Sequence, residues 1–301
     1  MKKYQANLLL LLVAVIWGGG FVFVEILLNA GMAPGMITMI RGGIFSVCTF
    51  ALFFKRIIKM TRQDLKVGLI AGGTNALGFL IQAIGQNMAS PSHASLITMI
   101  YVIFVPIVCW IVYKIRPRLK TVFAVIMCVI GAFFLVNSFT GDTSTTALIG
   151  DGLLLLSTVM FAVNIAYLGN SCKQTHYGVV SFFMGATMFV ISFGYAFISG
   201  QTQLPDRSDA LISILSVLYL GLLSSALCQI VQVYCQRFTS AVSASLILTL
   251  EGFFGGLFSF VYGEKITWNL IVGGVIIIIS VLLQEIDFSS LKNKLKMNKK
   301  R

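Results

Sequence analysis

The chain has 301 residues, of which 57% are hydrophobic and only 11% charged, with a net charge of +12 and a mean hydropathy of +0.93. No soluble single domain needs that balance to fill its core, so the solvent for most of the chain is expected to be lipid. Apolar stretches of about 20 residues, the length a membrane helix needs, recur from Leu8 to Glu285 with short breaks. No room is left for a soluble catalytic domain.

In chain order the predicted spans are 7–28, 35–54, 67–88, 93–113, 119–137, 148–169, 178–198, 210–233, 240–262 and 267–285. That pattern is an all-α polytopic membrane protein of ten transmembrane helices. The first span follows Met1-Lys2-Lys3 and imitates a signal peptide, but it runs on through Trp17 and Phe23 to Leu28 with no small-residue cleavage site. The longest connections, near 138–147 and 199–209, are still short, so a compact bundle with little outside the bilayer is expected.

The basic residues alternate with the spans. Lys2, Lys3, the cluster Lys55 to Lys66, the cluster Lys114 to Lys120, Lys173, Arg237 and six residues from Lys292 to Arg301 fall on one side, 19 of the 22. Arg207 and Lys265 fall on the other, and Arg41 lies within a span. Since Lys and Arg stay cytoplasmic, both termini are expected inside a plasma (inner) membrane of bacterial type. The charge is a topology signal first and a contact for anionic lipid second; nucleic acid is not needed as a partner.

Internal repetition organises the spans. NMASPSHASLITMIYVIF at 87–104 matches QRFTSAVSASLILTLEGFF at 236–254 at a constant offset of 150. The leucine run ahead of Trp17 meets the run from Leu153, ahead of Phe161, at an offset near 144. Residues 7–137 and 148–285 therefore read as two five-helix units, followed by a basic cytoplasmic tail at 286–301. Five is odd, so the second unit is expected upside down relative to the first. Such inverted repeats place a substrate site near the midplane and open it alternately to each side.

At this point the chain resembles the EamA-like transporters of the drug/metabolite transporter superfamily. The resemblance rests on WGGGFVF at 17–23, ITMIRGG at 37–43, SLITMIYVIFVPIV at 95–108 and SASLILTLEGFFGGLFSFVYGEKIT at 243–267. It implies a basket of ten helices with helices 1, 3, 4, 6, 8 and 9 around a central cavity and helices 5 and 10 at the periphery. Where that family often has a proline after the glutamate of the ninth helix, this chain has Gly252. Members carry cargoes as different as amino acids, nucleosides and sugars, so the resemblance does not name one.

Polar side chains within spans are the candidate site. Asn75, Gln82 and Gln86 share one face of the third span, and Ser225, Gln229, Gln232 and Gln236 share one face of the eighth. The offset of 150 pairs Asn75 with Ser225, Gln82 with Gln232 and Gln86 with Gln236. These amides either line a cavity for a polar solute or bond helix to helix; Gln86 and Gln236 lie near span ends, where interfacial solvation serves. Trp17, Tyr101, Asn164 and Tyr167 sit on spans expected to line the cavity, to stack on substrate or simply to pack. Glu25 and Arg41 lie at similar depth, which suits an ion pair fastening the first two helices, or else an anion-binding Arg41 with a titrating Glu25. Glu251, paired by the repeat with Tyr101, lies mid-span without an evident basic neighbour. It is a group for binding an amine or exchanging a proton, or a neutral structural carboxyl.

Other chemistry is not expected. The six cysteines lack metal-ligand spacing, His93 and His176 sit at helix ends without partners that would make a metal or catalytic site, and no phosphate loop, HExxH or GxSxG string occurs. Neither a cofactor, a metal nor a partner protein is implied, and the chain can act as a monomer. A secondary transporter of a small polar metabolite such as an amino acid, exporting by alternating access, is the leading reading. A channel, a lipid scramblase and an integral membrane enzyme are the alternatives; the enzyme would need two acids to meet, and Glu25 and Glu251 lie at different depths.

Overall fold

A computed structural model describes residues 1–136, 145–205, 210–263 and 268–285. Arg207, Lys265 and the tail 286–301 lie outside the described residues, and so does most of the connection at 138–147. The described chain is all helical: α1 (Lys3–Asn29), α2 (Pro34–Ile57), α3 (Arg62–Gln86), α4 (Pro91–Thr98), α5 (Tyr101–Tyr113), α6 (Leu119–Val136) and α7 (Thr145–Ser171) come first. They are followed by α8 (Tyr177–Ile198), α9 (Ala210–Leu218), a π-helical segment (Tyr219–Leu227), α10 (Cys228–Cys235), α11 (Ala241–Leu248), α12 (Leu250–Val261) and α13 (Trp268–Glu285).

Against the ten predicted spans, eight helical runs among the described residues are long and apolar enough to cross a membrane. Two shorter apolar runs, Leu119–Phe134 and Ile271–Gln284, fall where the fifth and tenth were expected. Large apolar side chains are exposed along most of the helices, with Ile198 at 90%, Val261 at 81% and Leu119 at 78% of full exposure. A surface of that kind needs lipid against it. The chain is thus a polytopic membrane protein, with α6 and α13 packed on each other: Gly131 sits where a Cβ would meet Gly273 O at 2.8 Å.

Two spans are each broken into a short helix and a longer one. Ser90 and Ser240 cap α4 and α11, their hydroxyls accepting from His93 N and Ser243 N. Both helices run for eight residues, and both stop just before a polar residue of the candidate site. Tyr101 opens α5, and Glu251 lies in the first turn of α12, where the helix dipole favours a carboxyl.

At the end of the bundle that carries Lys55, Arg56 and Arg237, Asp64 joins two elements far apart in sequence. Its carboxylate accepts from Thr61 N, Thr61 Oγ1 and, at 2.8 Å, His176 N ahead of α8. His176 in turn caps α8 by accepting Gly178 N at its Nδ1. Burial first, then the nearby Arg56 guanidinium, holds this imidazole below its ordinary value against the opposing pull of Asp64. His93 is likewise near a carboxyl, its Nδ1 3.2 Å from Asp151 Oδ1. Each carboxyl lies distant in sequence, which a reading of neighbours along the chain does not reach.

α2 packs along α8 at close range because both faces are small there. A Cβ on Gly42 would lie 2.5 Å from Phe189 N, and one on Gly185 would lie 2.7 Å from Ser46 N. This contact fixes the face of α2 that carries Arg41. Gly42→Ala should lower the melting temperature of the detergent-solubilised protein by the equivalent of about 1–3 kcal/mol, since backbone must move. Gly73→Ala, at a position with open space, is the matched control and should melt as the unaltered protein does.

Candidate functional site

The breaks and the π segment converge on a cavity within the bundle. Its floor and walls combine aromatic surface from Trp17, Phe79 and Phe161 with polar groups that are almost completely buried. Of the sequence candidates, Trp17, Arg41, Asn75, Gln82, Tyr101, Asn164, Gln229, Gln232 and Glu251 all line it. α2 joins the lining through Arg41, a helix that the family resemblance did not include.

Two candidates sit elsewhere. Tyr167, one turn along α7 from Asn164, packs at the edge of an apolar cluster around Phe45, Leu168 and Val180 instead. Glu25 accepts from Asn29 Nδ2, which also donates to Tyr262 Oη, joining α1 to α12. The expected Glu25–Arg41 pair is not formed. The two side chains meet different neighbours instead.

Arg41 instead reaches across to the π segment. Its Nε donates to Ser225 Oγ at 3.1 Å and its Nη2 to Ser224 Oγ at 3.2 Å, while the Phe79 ring lies 4.5 Å from the guanidinium carbon. The π winding matters to this placement, because it departs from the regular α-helical bonding and Trp17 Nε1 donates to Ser224 O at 2.8 Å. Ser224, Phe79 and the π segment were not singled out from the sequence. Hydroxyls, aromatics and an apolar run of ordinary helix formers give no periodic signal of such a winding.

The amides differ in how fully they are bonded, and Gln236 Oε1 is buried without a partner although its Nε2 is bonded. Gln86 Nε2 donates to Phe21 O at 2.7 Å, Gln236 Nε2 to Ile165 O at 3.0 Å, and Asn164 Nδ2 to Ala71 O at 2.7 Å. Gln82 Nε2 donates to Thr98 Oγ1. Gln232, the equivalent of Gln82 at the offset of 150, faces Leu248 at the position equivalent to Thr98, and a leucine offers no hydroxyl. Its Oε1 is buried without a hydrogen bond, as are Asn75 Nδ2 and Gln229 Oε1, although Gln229 Nε2 donates to Asn75 Oδ1 at 3.0 Å. Buried polar atoms left open inside a cavity are the ones a polar solute can satisfy.

Glu251 and Tyr101 are electrostatic neighbours, although the Tyr101 hydroxyl makes no hydrogen bond of ordinary geometry. Arg41 and Glu251 both lie within electrostatic range of Cys228. An arginine thus lines the same cavity as Glu251, with no ion pair between the two among the described residues. Among the described residues no group of three or more His, Cys, Asp or Glu could hold a metal ion.

Gln86 and Gln232 predict opposite responses. Gln86→Leu removes a buried hydrogen bond, so melting in detergent should show a loss of about 0.5–1.5 kcal/mol. Gln232→Leu removes an atom that has no partner, and its melting should be unchanged or raised.

Comparison with known proteins follows the same outline. A solved crystal structure is similar with a TM-score of 0.75, covering 94% of this chain and 98% of its own at 14% identity, which speaks for the fold alone. A protein of Archaeoglobus fulgidus described as an uncharacterized transporter is 29% identical over 284 residues, 94% of this chain and 86% of its own. The uncharacterized transporter YoaV of Bacillus subtilis is 22% identical, over 93% of this chain and 96% of its own. The profile of the EamA-like transporter family matches residues 5–137 and again 148–284. The chain belongs to the EamA-like transporter family.

Proposed function

We propose that this membrane transporter is a secondary carrier, an exporter of a small polar metabolite such as an amino acid, working by alternating access between two inverted five-helix repeats. The observation that carries the reading is the cavity: a pocket within an apolar bundle, lined by buried amide atoms with open hydrogen-bonding capacity. Such groups are costly in hydrocarbon unless something polar visits them. No nucleotide-binding motif supplies another source of energy.

Matched local geometry supports the repeat. The limits of α4 and α11 differ by 150 residues at both ends, and their serine caps differ by the same number. The bond from Gln86 to Phe21 O has its counterpart from Gln236 to Ile165 O, with offsets of 150 and 144 that agree with the sequence alignment. Residues 7–137 and 148–285 are on this reading the two units. The protein resides in the plasma membrane of a bacterial type of cell, with both termini and the basic tail 286–301 in the cytoplasm. It acts as a monomer, without a partner protein or cofactor.

Metabolite release from cells with and without the protein, followed by counterflow of the hits in proteoliposomes, tests this reading directly; saturable counterflow is the expected result. Solute leak without saturation would instead indicate a channel. Gln232→Leu should reduce counterflow while leaving folded yield unchanged. Cysteine labelling of the tail after Lys292 should succeed only from the cytoplasmic side, and labelling from outside would overturn both the orientation and the ten-span count. Glu251→Gln keeps the shape of the carboxyl but cannot titrate, so uphill transport should fall and its pH dependence disappear. Superimposable pH profiles for the two proteins would remove Glu251 from any coupling role.

A further inference from the structure

Arg41 is the one cationic side chain among the residues lining the cavity, and it is only 4% exposed. Ser225 and Ser224 engage the edge of the guanidinium formed by Nε and Nη2. A guanidinium has five N–H groups in a fixed fork, so the outer edge formed by Nη1 and Nη2 retains donors without an acceptor among the described residues. No carboxylate pairs with it there either. A buried charge of this kind is strongly unfavourable unless neutralised, and the serines and the Phe79 ring hold it in place without neutralising it.

A second open donor lies close by. Asn75 sits one turn from Phe79 on α3, and its Nδ2 is buried without a partner while its Oδ1 is taken by Gln229. Gln229, at the start of α10, is one turn from Ser225 on the π segment, so adjoining stretches of one span hold the guanidinium and this amide. Two open donors on one cavity, one of them charged and two-pronged, suit a planar oxyanion.

We propose that Arg41 is the anion-recognition residue of the cavity and that the cargo carries a carboxylate, gripped by the free edge of the guanidinium with Asn75 Nδ2 as an added donor. This rests on the reading of the cavity as a transport site. A carboxylate fits better than a phosphate on charge: the lining offers a single cation and also contains Glu251, so a dianion would exceed the available positive charge and meet a carboxyl as well. Trp17, Phe161 and Ile165 complete the cavity with surface for an apolar side chain.

Counterflow into proteoliposomes of the full chain tests the assignment with probes that differ at one group. Phenylalanine and leucine carry the carboxylate, 3-phenylpropionate carries it without the amine, phenylalaninamide and phenethylamine lack it, phenyl phosphate replaces it with a dianion, and uridine and glucose are uncharged. Carboxylate-bearing probes should exchange, and loss of the carboxylate should weaken exchange about tenfold or more. Arg41→Gln should erase that difference, and Arg41→Lys, which keeps the charge but not the fork, should restore it only in part. If Arg41→Gln does not fold, the comparison among probes on the unaltered protein still decides. Equal or better exchange of probes without a carboxylate would overturn the assignment while leaving the carrier intact. Exchange of none of the probes would overturn both.

Discussion

A guanidinium enclosed by helices is the constraint around which this bundle is arranged. Arg41 on α2 can be held there only because hydroxyls come to it from the π segment and an aromatic face comes from α3. Each of those contacts fixes a helix: α2 cannot rotate without losing Ser224 and Ser225, and α3 cannot shift without uncovering the cation. The close α2–α8 approach at Gly42, the next residue, sets the rotation of the same helix. Packing and polar contact together thus determine where a single positive charge points.

The same economy of polar groups governs the rest of the interior. Gln86 and Gln236 donate to main-chain carbonyls of α1 and α7, so each behaves as a strut between helices. The amides nearer the centre bond to one another incompletely, and the contrast between Gln82 and Gln232 comes from a single exchange, Thr98 in one place and Leu248 in the other. A near-symmetric frame with asymmetric partners yields a cavity whose two sides differ in what they offer a solute.

Much of this was legible in the sequence, for reasons that are physical. Hydrocarbon demands long apolar runs, so the membrane class and most helix limits follow from hydropathy alone. Amides are costly in lipid, so the stripes on the third and eighth spans marked inward faces, and nine of the eleven candidate residues line the cavity. Glu25 and Tyr167 do not, since depth and helical spacing leave the rotation of a helix against its neighbours undetermined. The π winding was invisible because Tyr219 to Leu227 contains no proline and only one glycine. Its cause lies in Arg41, Trp17 and Tyr219, whose hydroxyl donates to Ile16 O, all contacts more than 180 residues apart in sequence.

The π segment also gives the span Ala210–Cys235 a reserve of length. A π turn closes through i→i+5 bonds and takes up more residues than the 3.6 of an α turn, so its nine residues form a shorter and wider cylinder than they would as α-helix. Rewinding even one of those turns would lengthen the rod between α9 and α10 and swivel Gln229 and Gln232 about its axis. The stretch that seats the buried cation is for that reason also the place where this rod can extend and twist, like a thread with slack wound into its middle.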